Sequence, residues 1–148
     1  MPTALIDTNI LVYASDPMDP VRQERAIDLL QHLDLNRSGR LSAQVLAEFI
    51  SVSTRSQRPL YTYAQVIRQV ERLLQTFPVF DLTPLIILEA ARGAHDYSLS
   101  YYDAQIWAAA RLNQTRVIFS EDFQHGQILE GIQFINPFLS EFDIAAWH

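Results

Sequence analysis

Two short apolar runs in this chain each stop on an acid, and that repetition constrains the fold more than any other feature. Ala4, Leu5 and Ile6 lead straight into Asp7, and Val117, Ile118 and Phe119 lead through Ser120 into Glu121 and Asp122. A strand without polar alternation is buried on both faces, as the strands of parallel sheets are. Thr8 and Asn9 follow Asp7 as residues that start a helix. Ligands of open α/β sheets bind just past the carboxyl ends of the strands, where both acids fall. Simple capping of the next helix accounts for Asp7 equally well at this point.

Between the two runs the pattern alternates. A turn-rich loop around Pro17 and Pro20 precedes an amphipathic helix over residues 21–35, with Ala26, Leu29, Leu30 and Leu33 inward. A short strand is predicted over residues 40–43, then a helix over residues 44–55 whose stripe is Val45, Phe49 and Val52, flanked by Leu46 and Ile50. Further helices are predicted over residues 62–77, from Pro84 through Leu88, Ala91 and Ala94 to residue 97, and over residues 101–113. A brief extended piece occupies residues 78–82, and a last strand over residues 133–135 stops at Asn136 and Pro137. Strands alternating with helices imply an α/β fold with a right-handed, mostly parallel central sheet. With 148 residues and no repeat or linker, we expect one domain over residues 1–148.

Composition narrows the chemistry. There is no cysteine, which removes disulfide scaffolds, thiolate metal sites and Cys nucleophiles. All 11 basic residues are arginine, so lysine-based chemistry is excluded. A net charge of -6 argues against holding nucleic acid by bulk positive charge, but leaves room for a divalent metal and a few local arginines. No signal-like opening and no membrane-length apolar run is present, so the expected setting is cytoplasmic, with no membrane partner.

Two more acids join the pair. Glu48 lies within the apolar stripe of its helix, where a charge needs a partner; a structural salt bridge is the ordinary explanation. Asp103 faces the packed side of its helix near the N-terminus, where Ser100 and Asp103 also match a capping box. On this topology Asp7, Glu48, Asp103 and Asp122 reach one edge of one sheet. Four carboxylates repel unless a cation holds them, and oxygen ligands alone suit Mg²⁺ or Mn²⁺. One or two such ions activate water and stabilise a leaving oxygen, so phosphodiester hydrolysis is the natural reaction class.

These residues resemble the PIN domain family, which includes the VapC toxin ribonucleases of bacterial toxin–antitoxin pairs. The resemblance rests on Leu5-Ile6-Asp7-Thr8-Asn9, on Ala47-Glu48-Phe49, on Tyr102-Asp103-Ala104 with the helix after it, and on Ile118-Phe119-Ser120-Glu121-Asp122-Phe123. It implies a three-layer αβα sandwich with the acids lining one groove. Asp7, Glu48 and Asp103 match the three acids that nearly all members carry, and Asp122 matches a more variable fourth. Thr8, Asn9 and Ser120 match positions that orient the acids or bind water. Either Glu121 or Asp122 could turn inward; the family pattern of hydroxyl, variable residue, acid selects Asp122. Gln124 and His125 stand where some members carry a further acid, which weakens the case for a second metal. We read His125 as an exposed surface residue.

The resemblance further implies cleavage of RNA to a 5′-phosphate and a 3′-hydroxyl, with Asp7, Asp103 and Asp122 on the metal and Glu48 completing the site at the attacking water. It implies a homodimer and an antitoxin protein that covers the groove. Arg55 and Arg58, after the Glu48 helix, are candidate phosphate contacts, although a solvated loop explains them as well. Three other readings compete. A non-catalytic PIN-fold module for binding nucleic acid or protein is disfavoured by the intact set of four acids. A phosphoacceptor receiver domain needs a lysine that this chain lacks. DNA cleavage is not separable from RNA cleavage on these residues. The aromatic tail with Phe138, Phe142, Ile144 and Trp147 fits either core packing or a dimer contact.

Overall fold

The fold is built outward from β1 (Ala4–Ile6), whose three residues are wholly buried. The structure is a computed structural model and describes residues 2–147. After β1 come α1 (Thr8–Ser15), α2 (Pro20–Leu35), β2 (Gly39–Ser42), α3 (Ala43–Thr54), α4 (Tyr63–Thr76) and β3 (Val79–Phe80). The second half contributes α5 (Pro84–Tyr97), α6 (Tyr101–Leu112), β4 (Val117–Phe119), β5 (Ile128–Leu129), β6 (Ile132–Ile135) and a 3₁₀ turn over Ile144–Ala146.

The strands form one sheet in the order β3-β2-β1-β4-β6-β5. All pairings are parallel except β5 with β6. The chain steps from β1 outward through β2 to β3, then crosses back over β1 to β4. Right-handed crossovers therefore put α1 to α4 on one face and α5 with α6 on the other, a three-layer sandwich. The direction of winding reverses between β1 and β4, where open sheets of this kind form their ligand crevice. Asp7 and Ser120 stand at the ends of these two strands, and the Asp7 N–H donates to the Phe119 carbonyl across the gap (3.0 Å).

Packing departs from the sequence pattern in three places. On α5 the residues turned inward are Ile86, Ala90 and Gly93, while Leu88 is 68% exposed. The Trp107 ring of α6 decides this. A Cβ on Gly93 would lie 2.6 Å from it, so only glycine allows the two helices this close. On α3, Val45, Leu46 and Phe49 are buried, but Val52 lies near the rim. The third departure is a β-hairpin at the end of the sheet, where a single strand was expected. Glu130 (φ 48°) and Gly131 (φ 81°) make its two-residue turn, with positive φ at both positions as a type I′ turn requires.

The tail packs on the core rather than standing free. Phe142 and Trp147 meet the Phe119 ring edge-on at 5.6 and 5.1 Å, and Phe138 meets Tyr13 at 4.9 Å. Arg25 ties this segment down. Its guanidinium donates to the carbonyls of Pro137, Leu139 and Phe142 at 2.9, 2.9 and 3.0 Å. A charged donor on three carbonyls satisfies backbone that has no strand partner.

Candidate active site

Asp7 is the centre of the site and is only 5% exposed. It ends β1 and caps α1, so the capping role and a chemical role coincide in one side chain. Its Oδ1 accepts from the Thr8 N–H at 2.7 Å, and its Oδ2 accepts from the Ser120 hydroxyl at 2.7 Å. Its carboxyl is pushed up to about 6: burial raises it most, these two donors pull it down in part, and the negative charges of Asp122 and Glu48 add to the rise.

Small polar side chains hold the neighbouring acids. The Thr8 hydroxyl donates to Glu48 Oε2 at 2.9 Å, joining α1 to α3. Glu48 Oε1 accepts from the Gln44 amide at 2.8 Å. The salt bridge expected for Glu48 does not form among the described residues; hydrogen bonds take its place. The Asn9 amide donates to Asp122 Oδ2 at 3.1 Å and to Ser120 Oγ at 3.2 Å, while Ser120 Oγ accepts from the Asp122 N–H at 3.1 Å. Thr8, Asn9 and Ser120 thus connect three of the four acids.

Asp103 lies in the first turn of α6 and is half-buried. Ser100 makes no side-chain capping bond, so the capping box that the sequence allows is not formed. Burial raises the Asp103 carboxyl above its ordinary value; the Ser100 hydroxyl opposes this, and Asp122 and Glu48 add to it. Glu121 turns away from the cluster. It accepts from the Tyr13 hydroxyl at 2.7 Å and stands 3.6 Å from Arg22 Nε. That bond, with burial behind it, pushes the Tyr13 phenol up to about 12. Arg55 and Arg58 are exposed in the loop after α3, and neither pairs with an acid among the described residues. His125 is half-buried rather than exposed, because its Nδ1 accepts from the Asn136 N–H at 3.0 Å.

Asp7 and Asp103 therefore each feel the charges of Glu48 and Asp122, yet none of the four has a cation partner among the described residues. No three acids or histidines among the described residues make a preassembled metal cage. The donor set nevertheless fits a hard divalent cation: every group is a carboxylate oxygen, and the Asp7 and Asp103 carboxyls are raised first by burial and then by the charges of Asp122 and Glu48. An open cleft of about 550 Å³ adjoins Glu48, with Ala47, Leu82 and Tyr102 in its walls.

A sequence profile of the PIN domain matches residues 4–128, a span that contains all four acids. The chain belongs to the PIN domain family. Solved structures share its fold. A toxin–antitoxin complex from Klebsiella pneumoniae is 20% identical with a TM-score of 0.64, over 91% of this chain and 98% of that one. VapC20 of Mycobacterium tuberculosis, described as a toxin that cleaves the sarcin–ricin loop, is 19% identical with a TM-score of 0.65, over 88% and 99%. VapBC2 of Rickettsia felis, bound to a DNA fragment from its promoter, is 15% identical with a TM-score of 0.66, over 89% and 96%. No curated protein gives a significant match. The PIN match ends before β6 and the Arg25-anchored tail.

Gln44 belongs to none of the acid motifs in the sequence. It is a buried polar residue, 9% exposed, one helical turn before Glu48. That i, i+4 spacing was the available signal.

Proposed function

We propose that this PIN domain is a metal-dependent endoribonuclease, the toxin of a VapBC-type pair, working as a single domain in the cytoplasm. One observation carries the reading: at the carboxyl edge of a parallel sheet Asp7 and Asp103 both feel the charges of Glu48 and Asp122, with no compensating cation among the described residues. The likeness to the Klebsiella toxin–antitoxin complex and to the toxin VapC20 supports the toxin assignment.

Asp7, Asp103 and Asp122 would hold Mg²⁺ or Mn²⁺, and Glu48 would complete the set, directly or through a water. When bound, the ion lowers the pKa of a water and neutralises charge on the phosphate. The chain's own groups do the rest. Thr8 N–H and Ser120 hold the Asp7 carboxylate in one orientation, and Asn9 does so for Asp122. Each Glu48 oxygen already accepts one hydrogen bond and keeps a lone pair to take a proton from the attacking water. The cleft beside Glu48 offers the RNA strand a seat. An antitoxin that brings an arginine to this uncompensated cluster would be held by charge-assisted hydrogen bonds. A homodimer is part of the same reading.

The test is cleavage of a labelled total-RNA pool with Mg²⁺, Mn²⁺ or EDTA, beside folded Asp7→Asn and Asp103→Asn. Metal-dependent cutting by the wild type, lost in both variants, is the expected result. Neither cutting nor metal binding by the wild type would favour a binding module instead.

A further inference from the structure

Behind the acids lie two buried glutamines, of which only the bond from Gln44 to Glu48 belongs to the site already described. Gln44 on α3 is 9% exposed and Gln105 on α6 is 5% exposed. Gln105 Nε2 donates to Gln44 Oε1 at 2.8 Å. Gln44 Nε2 donates to Glu48 Oε1 at 2.8 Å and to the Tyr102 carbonyl at 3.1 Å. The direction of this chain is dictated by its ends. A carboxylate and a backbone carbonyl both only accept, so Gln44 must turn its NH₂ to them and its oxygen to Gln105. Gln105 then has to supply the donor.

We infer that Gln44 and Gln105 form a positioning relay that sets where the Glu48 carboxylate stands relative to Asp103. The relay spans two helices from opposite faces of the sheet. Glu48 rides on α3, and Tyr102, the residue before Asp103, lies in the first turn of α6. One amide holds both, so the spacing of the two acids is tied to it. Thr8 fixes the other Glu48 oxygen from α1 at 2.9 Å. Glu48 thus has donors on two sides and little freedom to rotate. The groups facing it across the cluster are acids, which would otherwise drive it outward by repulsion. The relay holds it inward at no cost in net charge, because amides carry none. An arginine in the place of Gln44 would supply donors as well but would cancel one of the negative charges that a cation needs.

This role rests on the proposed nuclease reading, and metal affinity tests the two separately. Mn²⁺ binding to the purified protein is measured by titration calorimetry for wild type, Gln44→Met, Gln44→Glu, Glu48→Gln and the double variant Gln44→Met with Glu48→Gln. Circular dichroism checks the fold of each. Met keeps the length and removes both donors; Glu keeps the shape and replaces them with an acceptor. Loss of a group that orients a ligand costs about tenfold or more in metal affinity, and that is the expected weakening in both Gln44 variants. In the Glu48→Gln background the Gln44→Met substitution should have no further effect, since the relay acts through Glu48. In the cleavage assay kcat should fall with KM unchanged. Wild-type affinity in folded Gln44→Met would overturn the relay, and so would an equal further loss in the Glu48→Gln background, which would mark a general packing role. If Glu48→Gln itself binds Mn²⁺ as tightly as wild type, the assignment of Glu48 to the site fails and the relay with it.

Discussion

Two clusters of carboxylates stand on this molecule, and they are built on opposite plans. On the outer side of α5 and α6, Glu89, Asp96 and Glu130 surround Arg92 and Arg111. Arg92 pairs with Glu89, with Asp96 at 3.2 Å and with Glu130 at 2.9 Å, while Arg111 reaches Glu89 at 3.2 Å. Arg92 also lies over the Trp107 ring at 5.5 Å. The Glu130 carboxyl is held below its ordinary value, first by the Tyr97 hydroxyl and then by Arg92 and Arg111; Asp96 is held down by His95 and then Arg92. At the sheet edge the acids have only neutral donors among the described residues, and Asp7 and Asp103 are raised. Compensated acids clamp a β-hairpin onto two helices. Uncompensated acids destabilise the protein alone, which is intelligible if a cation completes them.

The largest effect should come from Asp7→Asn. Cleavage should fall by more than ~100-fold, beyond the usual cost of losing a partner of a metal ligand. In EDTA the same variant should be more stable than wild type. The sign follows from the raised carboxyl. Asp7 titrates near 6 in the folded chain against a reference of 3.8, so the folded state binds the proton more tightly. Metal-free stability is then greatest below the reference value and declines as pH rises through about 6. Above that window the ionised Asp7 costs about 2–3 kcal/mol, and Asn, isosteric and neutral, recovers most of it. Urea unfolding at pH 4 and pH 8 with EDTA checks this: the variant should gain at pH 8 and lose most of its advantage at pH 4.

Arg92→Met should do the reverse and do less. It removes the cation from the compensated cluster and the contact over Trp107, so the unfolding midpoint should fall. The pairs are solvent-screened, so the fall should be small and should shrink in high salt. Cleavage and Mn²⁺ affinity should not change. An Arg92→Met protein with altered metal affinity would break the separation of the two clusters.

The contrast between these regions also explains what could be read from residues alone. A fully apolar strand must end at a sheet edge, so Ala4 to Asp7 and Val117 to Asp122 located the edge and its acids together. Choosing Asp122 over Glu121 needed a family pattern, because both follow the same strand. The structure turns Glu121 to Tyr13 and Arg22. The inward face of α5 was hidden because Leu88 and Ala91 sustain a helical period as well as Ile86, Ala90 and Gly93 do. A single aromatic ring, Trp107, distant in sequence, decides between them. The β5–β6 hairpin was hidden because Glu130 is an uncommon turn residue, although here it sits within its pairs to Arg92 and Arg111. Gln44 and Gln105 were hidden because an amide has no charge to draw notice and acts only through the group it touches.

The most direct measurement is Mn²⁺ titration calorimetry at pH 6 and pH 8, each in two buffers of different ionisation enthalpy, on wild type and Asp7→Asn. A metal that binds the uncompensated acids must displace the proton Asp7 carries near its midpoint. Wild type should bind at both pH values, releasing at least about half a proton at pH 6 and close to none at pH 8. Asp7→Asn should lose the binding. Wild-type protein that binds no Mn²⁺, or binds it as tightly once Asp7 is Asn, would contradict the account.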